Sequence, residues 1–97
     1  MQVARIELPG QKGIRPVRQN DCIVNKNSRC AGWVLSCAKV EDTQIALAYI
    51  RKEEAGTNNE LAVHYSPRKT DDSQRIPLDE KVEGDISGKV VSRFAKF

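Results

Sequence analysis

Aromatic residues and long apolar runs are scarce in this chain. Only 5% of its 97 residues are aromatic. The longest apolar-rich stretch, residues 31–40, is interrupted by Ser36 and Lys39, whereas a membrane-spanning helix needs about 20 apolar residues. Arg5 and Glu7 interrupt the N-terminus in the same way. We therefore expect neither a membrane partner nor a targeting segment.

Histidine and cysteine are too few and too irregularly spaced for a metal site. Cys22, Cys30 and Cys37 match no short zinc signature, and His64 is the only histidine. We expect reduced structural thiols, a structural His64, no metal and a cytoplasmic location. Cys37 lies in an apolar segment and is expected in the core, whereas Cys30 follows polar residues and is expected to be exposed.

The remaining composition is that of one soluble globular domain spanning residues 1–97. Apolar residues make up 39% and charged residues 30% of the chain. The net charge is +3, from 16 basic and 13 acidic residues. The nearest approach to a basic patch is Lys12, Arg15, Arg18, Lys26 and Arg29. Because nucleic-acid-binding domains concentrate such charge on one face, the scattered pattern favours a solvated loop surface over a nucleic-acid partner.

Short strands separated by turn-forming residues are predicted in the first half of the chain. Apolar and polar residues alternate over 3–8, and a brief apolar run at 22–24 is joined by an Asn- and Ser-rich turn to a strand at 32–38. Trp33, Leu35 and Cys37 fall on one face of that strand. We expect this face to be the core face.

The second half contains one apolar strand, one polar excursion and two further strands. At 45–50, Ile45, Leu47 and Tyr49 alternate with Ala46 and Ala48, which predicts a curved strand whose tighter side carries the small residues. A helical turn is expected at 51–55, and strands are expected at 61–65 and 88–94. Between them, at about 66–87, we predict a long exposed excursion with a short strand at 75–78.

Six or so short strands with frequent turns predict an all-β fold. The two forms that fit are a small antiparallel β-barrel and a jelly-roll-like sandwich, each with one short helical turn.

Several segments, in order along the chain, resemble one known family. They are Arg15 to Val24, Gly32-Trp33-Val34-Leu35-Ser36, Ile45-Ala46-Leu47-Ala48-Tyr49-Ile50, Ala55-Gly56-Thr57, Leu61-Ala62-Val63 and Lys89-Val90-Val91. Together they are similar to the C-terminal barrel of the glycine-cleavage T-protein (aminomethyltransferase) and folate-binding iron–sulfur assembly protein superfamily. The interval from Tyr65 to Lys89 is longer than in typical members.

The resemblance implies a scaffold rather than a catalyst. In this superfamily the catalytic acidic residue and most of the tetrahydrofolate cavity belong to domains that precede the barrel, so no catalytic, cofactor-binding or metal-binding residue carries over to this chain. The implied role is a non-catalytic barrel that packs against folate-binding domains of the same or another chain and shapes their cleft. Tetrahydrofolate is implied for the parent family, with none bound by this chain alone.

Two other functions are considered. One is a stand-alone, OB-like barrel that binds nucleic acid through the basic loops between Lys12 and Arg29, or binds a protein partner. The other is an independent enzyme with Cys30 as nucleophile and His64 as base, although one histidine leaves few catalytic arrangements.

Overall fold

The strands close into an antiparallel barrel. A computed structural model describes residues 1–10, 15–67 and 71–93. Within them the elements are β1 (Gln2–Pro9), β2 (Cys22–Val24), β3 (Cys30–Val40), β4 (Thr43–Ile50), a 3-10 turn (Lys52–Glu54), β5 (Glu60–His64) and β6 (Ile86–Arg93). The order around the barrel is β1, β4, β3, β2, β5, β6, and β6 pairs back with β1. The all-β prediction and its single helical turn are confirmed, and the barrel is the form adopted.

Small side chains on β4 allow the barrel to close tightly around its core. Ala46 and Ala48 are fully buried, while Ile45 and Leu47 between them are half-buried on the outer face. The prediction that the tighter side carries the small residues is confirmed. The interior is filled by alternate residues from all six described strands, among them Ala4, Ile6, Leu8, Ile23, Val34, Ile50, Leu61, Val63, Ile86 and Val90.

A β-bulge in β3 divides the predicted core face, and the prediction is wrong for Leu35. Val34 pairs with Ala48, but the next partner along β4, Leu47, pairs with Ser36, so Leu35 is the extra residue. A bulge reverses the alternation of side chains beyond it. Before the bulge, Val34 points into the barrel and Trp33 packs in a separate cluster outside it; Leu35, at the bulge, is 41% exposed, and beyond the bulge Cys37 faces inward. Of the predicted face, only Cys37 contacts the barrel core.

One end of the barrel is closed by the loop before β2. Gln44 is buried, and its side-chain oxygen accepts a hydrogen bond from the Val17 amide at 2.8 Å. Its side-chain nitrogen donates to the Pro9 carbonyl at 3.0 Å. Val17 is itself buried in the core. A single amide side chain thus ties the loop to β1 and β4.

The excursion between β5 and β6 was predicted to be exposed and to contain a short strand at 75–78. Residues 75–82 contain no strand, so that expectation is wrong, and the predicted exposure holds only in part, because four of these eight residues are half-buried. This segment, here called the strap, makes one isolated bridge, Arg29 with Lys81. Ile76, Leu78 and Val82 are half-buried against the outer face of the barrel. The alternation of Ile76 and Leu78 that predicted a strand instead reflects packing of an irregular segment against the barrel. Residues 71–74 are exposed. Lys12, Gly13, residues 68–70 and Phe94 lie outside the described residues.

Candidate functional site

Arg15 and Asp21 form a buried ion pair at the loop-covered end of the barrel. The Asp21 carboxylate is fully buried and accepts two hydrogen bonds from the Arg15 guanidinium, both at 2.9 Å. The backbone amides of Arg18 and Ser66 donate to the same carboxylate at 2.9 and 3.1 Å. Because each carboxylate oxygen already accepts two hydrogen bonds, this group is occupied in holding the fold.

The guanidinium groups of Arg15 and Arg18 also bind the chain just after β5. Arg15 donates to the Ser66 carbonyl at 2.7 Å, and Arg18 donates to the same oxygen at 3.3 Å. The Arg15 guanidinium also lies 4.9 Å from the centre of the Tyr65 ring. Residues Arg15 to Val24 therefore link the loop, β2 and the end of β5.

The basic residues singled out from the sequence do not form one surface. Arg15 and Arg18 are engaged at the barrel end, whereas Arg29 donates to the Asp79 carbonyl of the strap at 3.0 Å. Lys26 is exposed, and Lys12 lies outside the described residues. Since three of these side chains bond to the chain itself, the placement gives no support to a phosphate-binding groove.

Trp33 is the centre of a second apolar cluster outside the barrel. Its indole nitrogen donates to the Ile76 carbonyl at 2.7 Å, and the Arg75 guanidinium lies 3.7 Å from the ring centre. The cluster includes Cys22, Val24 and Cys30, with Ile76, Leu78 and Val82 from the strap packed on it. The strap therefore covers apolar surface that the closed barrel leaves outside.

The predicted exposure of Cys30 is wrong, because the strap buries it. Cys22 and Cys30 are both fully buried, and Cys37 is half-buried. The Cys30 amide donates to the Glu80 carbonyl, and the Asp79 amide donates to the Cys30 carbonyl, each at 2.9 Å. The polar residues before Cys30 gave no indication of a distant segment folding over it.

Cys30 and His64 have separate hydrogen-bond partners. The His64 Nδ1 atom lies 2.9 Å from the Glu83 carbonyl oxygen and 3.4 Å from an Asp85 carboxylate oxygen. The Cys30 sulfur instead donates to the carbonyls of Gly32 and Ile76. The described hydrogen bonds therefore include no nucleophile–base contact of the kind the enzyme hypothesis needs.

A groove of about 860 Å³ runs beside β1, β6 and β5. Its volume lies within the usual range for small-molecule sites, about 300–1,000 Å³. Glu7, Lys89 and Glu60 are register neighbours across these three strands and line the groove with Gly88 and Leu61. Because charges of both signs alternate across it, the groove has no single-sign field to select an anion or a cation.

The outer face of the β3–β4 hairpin carries the largest exposed apolar side chains of the described residues. Leu35 is 41% and Val40 57% exposed, and Ile45 and Leu47 are half-buried on the outer side of β4. We call these four residues the hairpin patch. The strap does not reach it, since the strap's apolar residues pack on the Trp33 cluster.

Comparisons with protein-family models, curated proteins and solved structures find no match to this chain. Among residues 1–10, 15–67 and 71–93, no helix is long and apolar enough to cross a bilayer. Within the same ranges, no three His, Cys, Asp or Glu side chains are grouped to hold a metal ion.

Sequence reasoning missed the two features that tie distant segments together. The Asp21 carboxylate joins residues up to 45 positions apart, and the strap joins Ile76 to Trp33. Asp21 is flanked by Asn20 and Cys22, and nothing in that local pattern distinguishes a buried carboxylate from an exposed one.

Proposed function

We propose that this barrel is a non-catalytic accessory domain of an aminomethyltransferase-like, folate-dependent protein, and that it packs against a folate-binding core and shapes its cleft. The observation that carries the proposal is the match between the family-like segments and the barrel itself. Those segments supply parts of β2, β3, β4, β5 and β6, in family order.

The family-like residues each have a structural role in the barrel. A β-carbon on Gly32 would lie 2.1 Å from the Tyr49 carbonyl oxygen, so glycine is required where β3 meets β4. Ala46 and Ala48 leave room inside the barrel. Arg15 and Asp21 join the loop to β5. A domain whose recognisable residues all build its scaffold fits an accessory role better than a catalytic one.

The hairpin patch is the surface we assign to the folate-binding core. Leu35 and Val40 leave apolar area in water, and where such side chains form a contiguous patch they mark a surface that contacts another protein. The chain's own strap covers the other outer apolar surface. A core domain that covers Leu35 and Val40 would leave the barrel interior and the strap undisturbed.

Turnover measurements test this function. The purified chain is incubated with tetrahydrofolate and an aminomethyl donor, alone and together with a T-protein-type aminomethyltransferase lacking its own barrel. We expect no turnover by the chain alone and restored turnover in the mixture. Leu35→Asp should abolish the restoration, whereas Glu53→Gln, on the exposed 3-10 turn, should leave it intact. Turnover by the chain alone would overturn the proposal.

A further inference from the structure

Two thiols lie together beneath the strap. Cys22 lies on β2, and Cys30 is the first residue of β3. In the β2–β3 register, Cys22 pairs with Trp33 and Cys30 pairs with Val24. Both side chains belong to the outer Trp33 cluster and are fully buried. They are free thiols, and each lies close enough to shift the pKa of the other. The two cysteines lie diagonally across adjacent strands within one buried cluster, so a disulfide between them requires a local shift of β2 or β3.

We propose that Cys22 and Cys30 are a redox-active pair, which a low-molecular-weight disulfide converts reversibly into an intramolecular disulfide when the strap opens. This inference does not depend on the proposed docking to a folate-binding core. Intracellular disulfides in most organisms are transient and regulatory, and a buried pair under a detachable segment suits that use.

The two sulfurs have different parts in the reaction. The hydrogen bond from Cys22 lowers the pKa of the Cys30 thiol, and the same contact, with burial, raises the pKa of Cys22. Because the thiolate is the nucleophile in exchange, Cys30 attacks first. Its thiolate displaces one thiolate from the added disulfide and forms a mixed disulfide.

The second step closes the pair. Cys22 loses its proton to the released thiolate or to solvent and attacks the Cys30 sulfur, which releases the second thiol. In total, one external disulfide is reduced to two thiols while two cysteine thiols are oxidised to one disulfide.

The strap controls access to both sulfurs. Cys30 donates from its sulfur to the Ile76 carbonyl, and the same carbonyl accepts the Trp33 indole hydrogen. The backbone of Cys30 also bonds to Asp79 and Glu80 at 2.9 Å each. Closing an S–S bond of about 2.05 Å consumes the Cys30 thiol hydrogen, so it removes the Cys30 hydrogen bond to Ile76, and it shifts β2 and β3 locally along each other. Oxidation therefore loosens the strap at the residue that also holds Trp33.

Oxidised glutathione is the probe that tests the pair. The native chain is treated with it, unreacted thiols are blocked, and peptides are mapped by mass spectrometry. We expect a loss of two hydrogen masses, a Cys22–Cys30 linked peptide, an unreacted Cys37 and a change in Trp33 fluorescence. Reductant should reverse all of them. In Cys37→Ala the same link should form, whereas Cys22→Ala should retain one glutathione on Cys30.

Three results would overturn the proposal. They are stable glutathione adducts on Cys30 of the native chain without an internal link, an internal link that includes Cys37, and reaction of Cys22 and Cys30 only after denaturation. The mapping uses the native chain, so a variant that fails to fold leaves the test intact.

Discussion

Gly32 on β3 lies so close to Tyr49 on β4 that a β-carbon at residue 32 would sit 2.1 Å from the Tyr49 carbonyl oxygen and 2.7 Å from the Ile50 α-carbon. Both contacts are with backbone atoms, which cannot rotate away. The β3–β4 pairing at this point therefore depends on the absence of a side chain.

Gly32→Ala should destabilise the barrel by about 3 kcal/mol, at the upper end of the usual cost of overpacking, because β3 and β4 must separate. Gly56→Ala is the matched control, since a β-carbon there meets nothing within 4 Å. Urea unfolding followed by circular dichroism measures both. Equal stability of the two variants would show that the strands do not approach so closely.

Asp21→Asn should cost about 3 kcal/mol, since it leaves Arg15 partly buried without its counter-charge. The amide keeps the shape of the carboxylate but replaces one acceptor oxygen with a donor, which faces the Arg15 guanidinium or backbone amides. Glu53→Gln, an exposed change of the same kind, should shift stability by less than about 0.5 kcal/mol. The urea midpoints of the two variants measure these changes in stability. An Asp21→Asn variant as stable as the unsubstituted chain would contradict the structural role given to this ion pair.

Trp33→Phe should open the strap more often while the barrel stays closed. The change removes the indole hydrogen bond to Ile76, and a hydrogen bond contributes about 1 kcal/mol, or roughly five-fold in an opening equilibrium. The Asp79 amide, which bonds to Cys30, should exchange its hydrogen about five-fold faster. The Val90 amide, which bonds to Asn59 on the far side of the barrel, is the internal control. Equal acceleration of both amides would indicate general destabilisation instead.

The pH dependence of glutathionylation should report the hydrogen bond between Cys22 and Cys30. That hydrogen bond lowers the pKa of Cys30, so in Cys37→Ala the initial rate should rise with pH and level off below the pH typical of an ordinary thiol. Adding Cys22→Ala removes the thiol that lowers the pKa of Cys30, so the midpoint of the rate–pH curve should move to higher pH. Identical midpoints in the two backgrounds would show that Cys22 does not stabilise the Cys30 thiolate.

The strand pattern was readable from local sequence because each strand carries its own alternation. Ala46 and Ala48 identified the inner side of β4 without knowledge of its neighbours. The same reasoning failed on β3, where the bulge at Leu35 depends on pairing with β4 and leaves no local mark.

The buried functional candidates were harder to predict than the strands. Cys30 looked exposed because the residues around it are polar, and its burial comes from a strap about 46 residues away. Asp21 looked like an ordinary loop carboxylate, and its burial comes from Arg15 and the distant Ser66 amide. Contacts of this range are set by the closed barrel, which local periodicity does not encode.

We propose that this barrel binds a folate-binding core through the hairpin patch. Calorimetric titration of the whole chain into a T-protein-type core lacking its barrel measures that binding, with tetrahydrofolate titrated into the chain as a second arm. We expect saturable binding to the core, loss of that binding in Leu35→Asp, and no tight folate binding by the chain alone. Failure of the folded chain to bind the core, or tight folate binding by the chain itself, would contradict it.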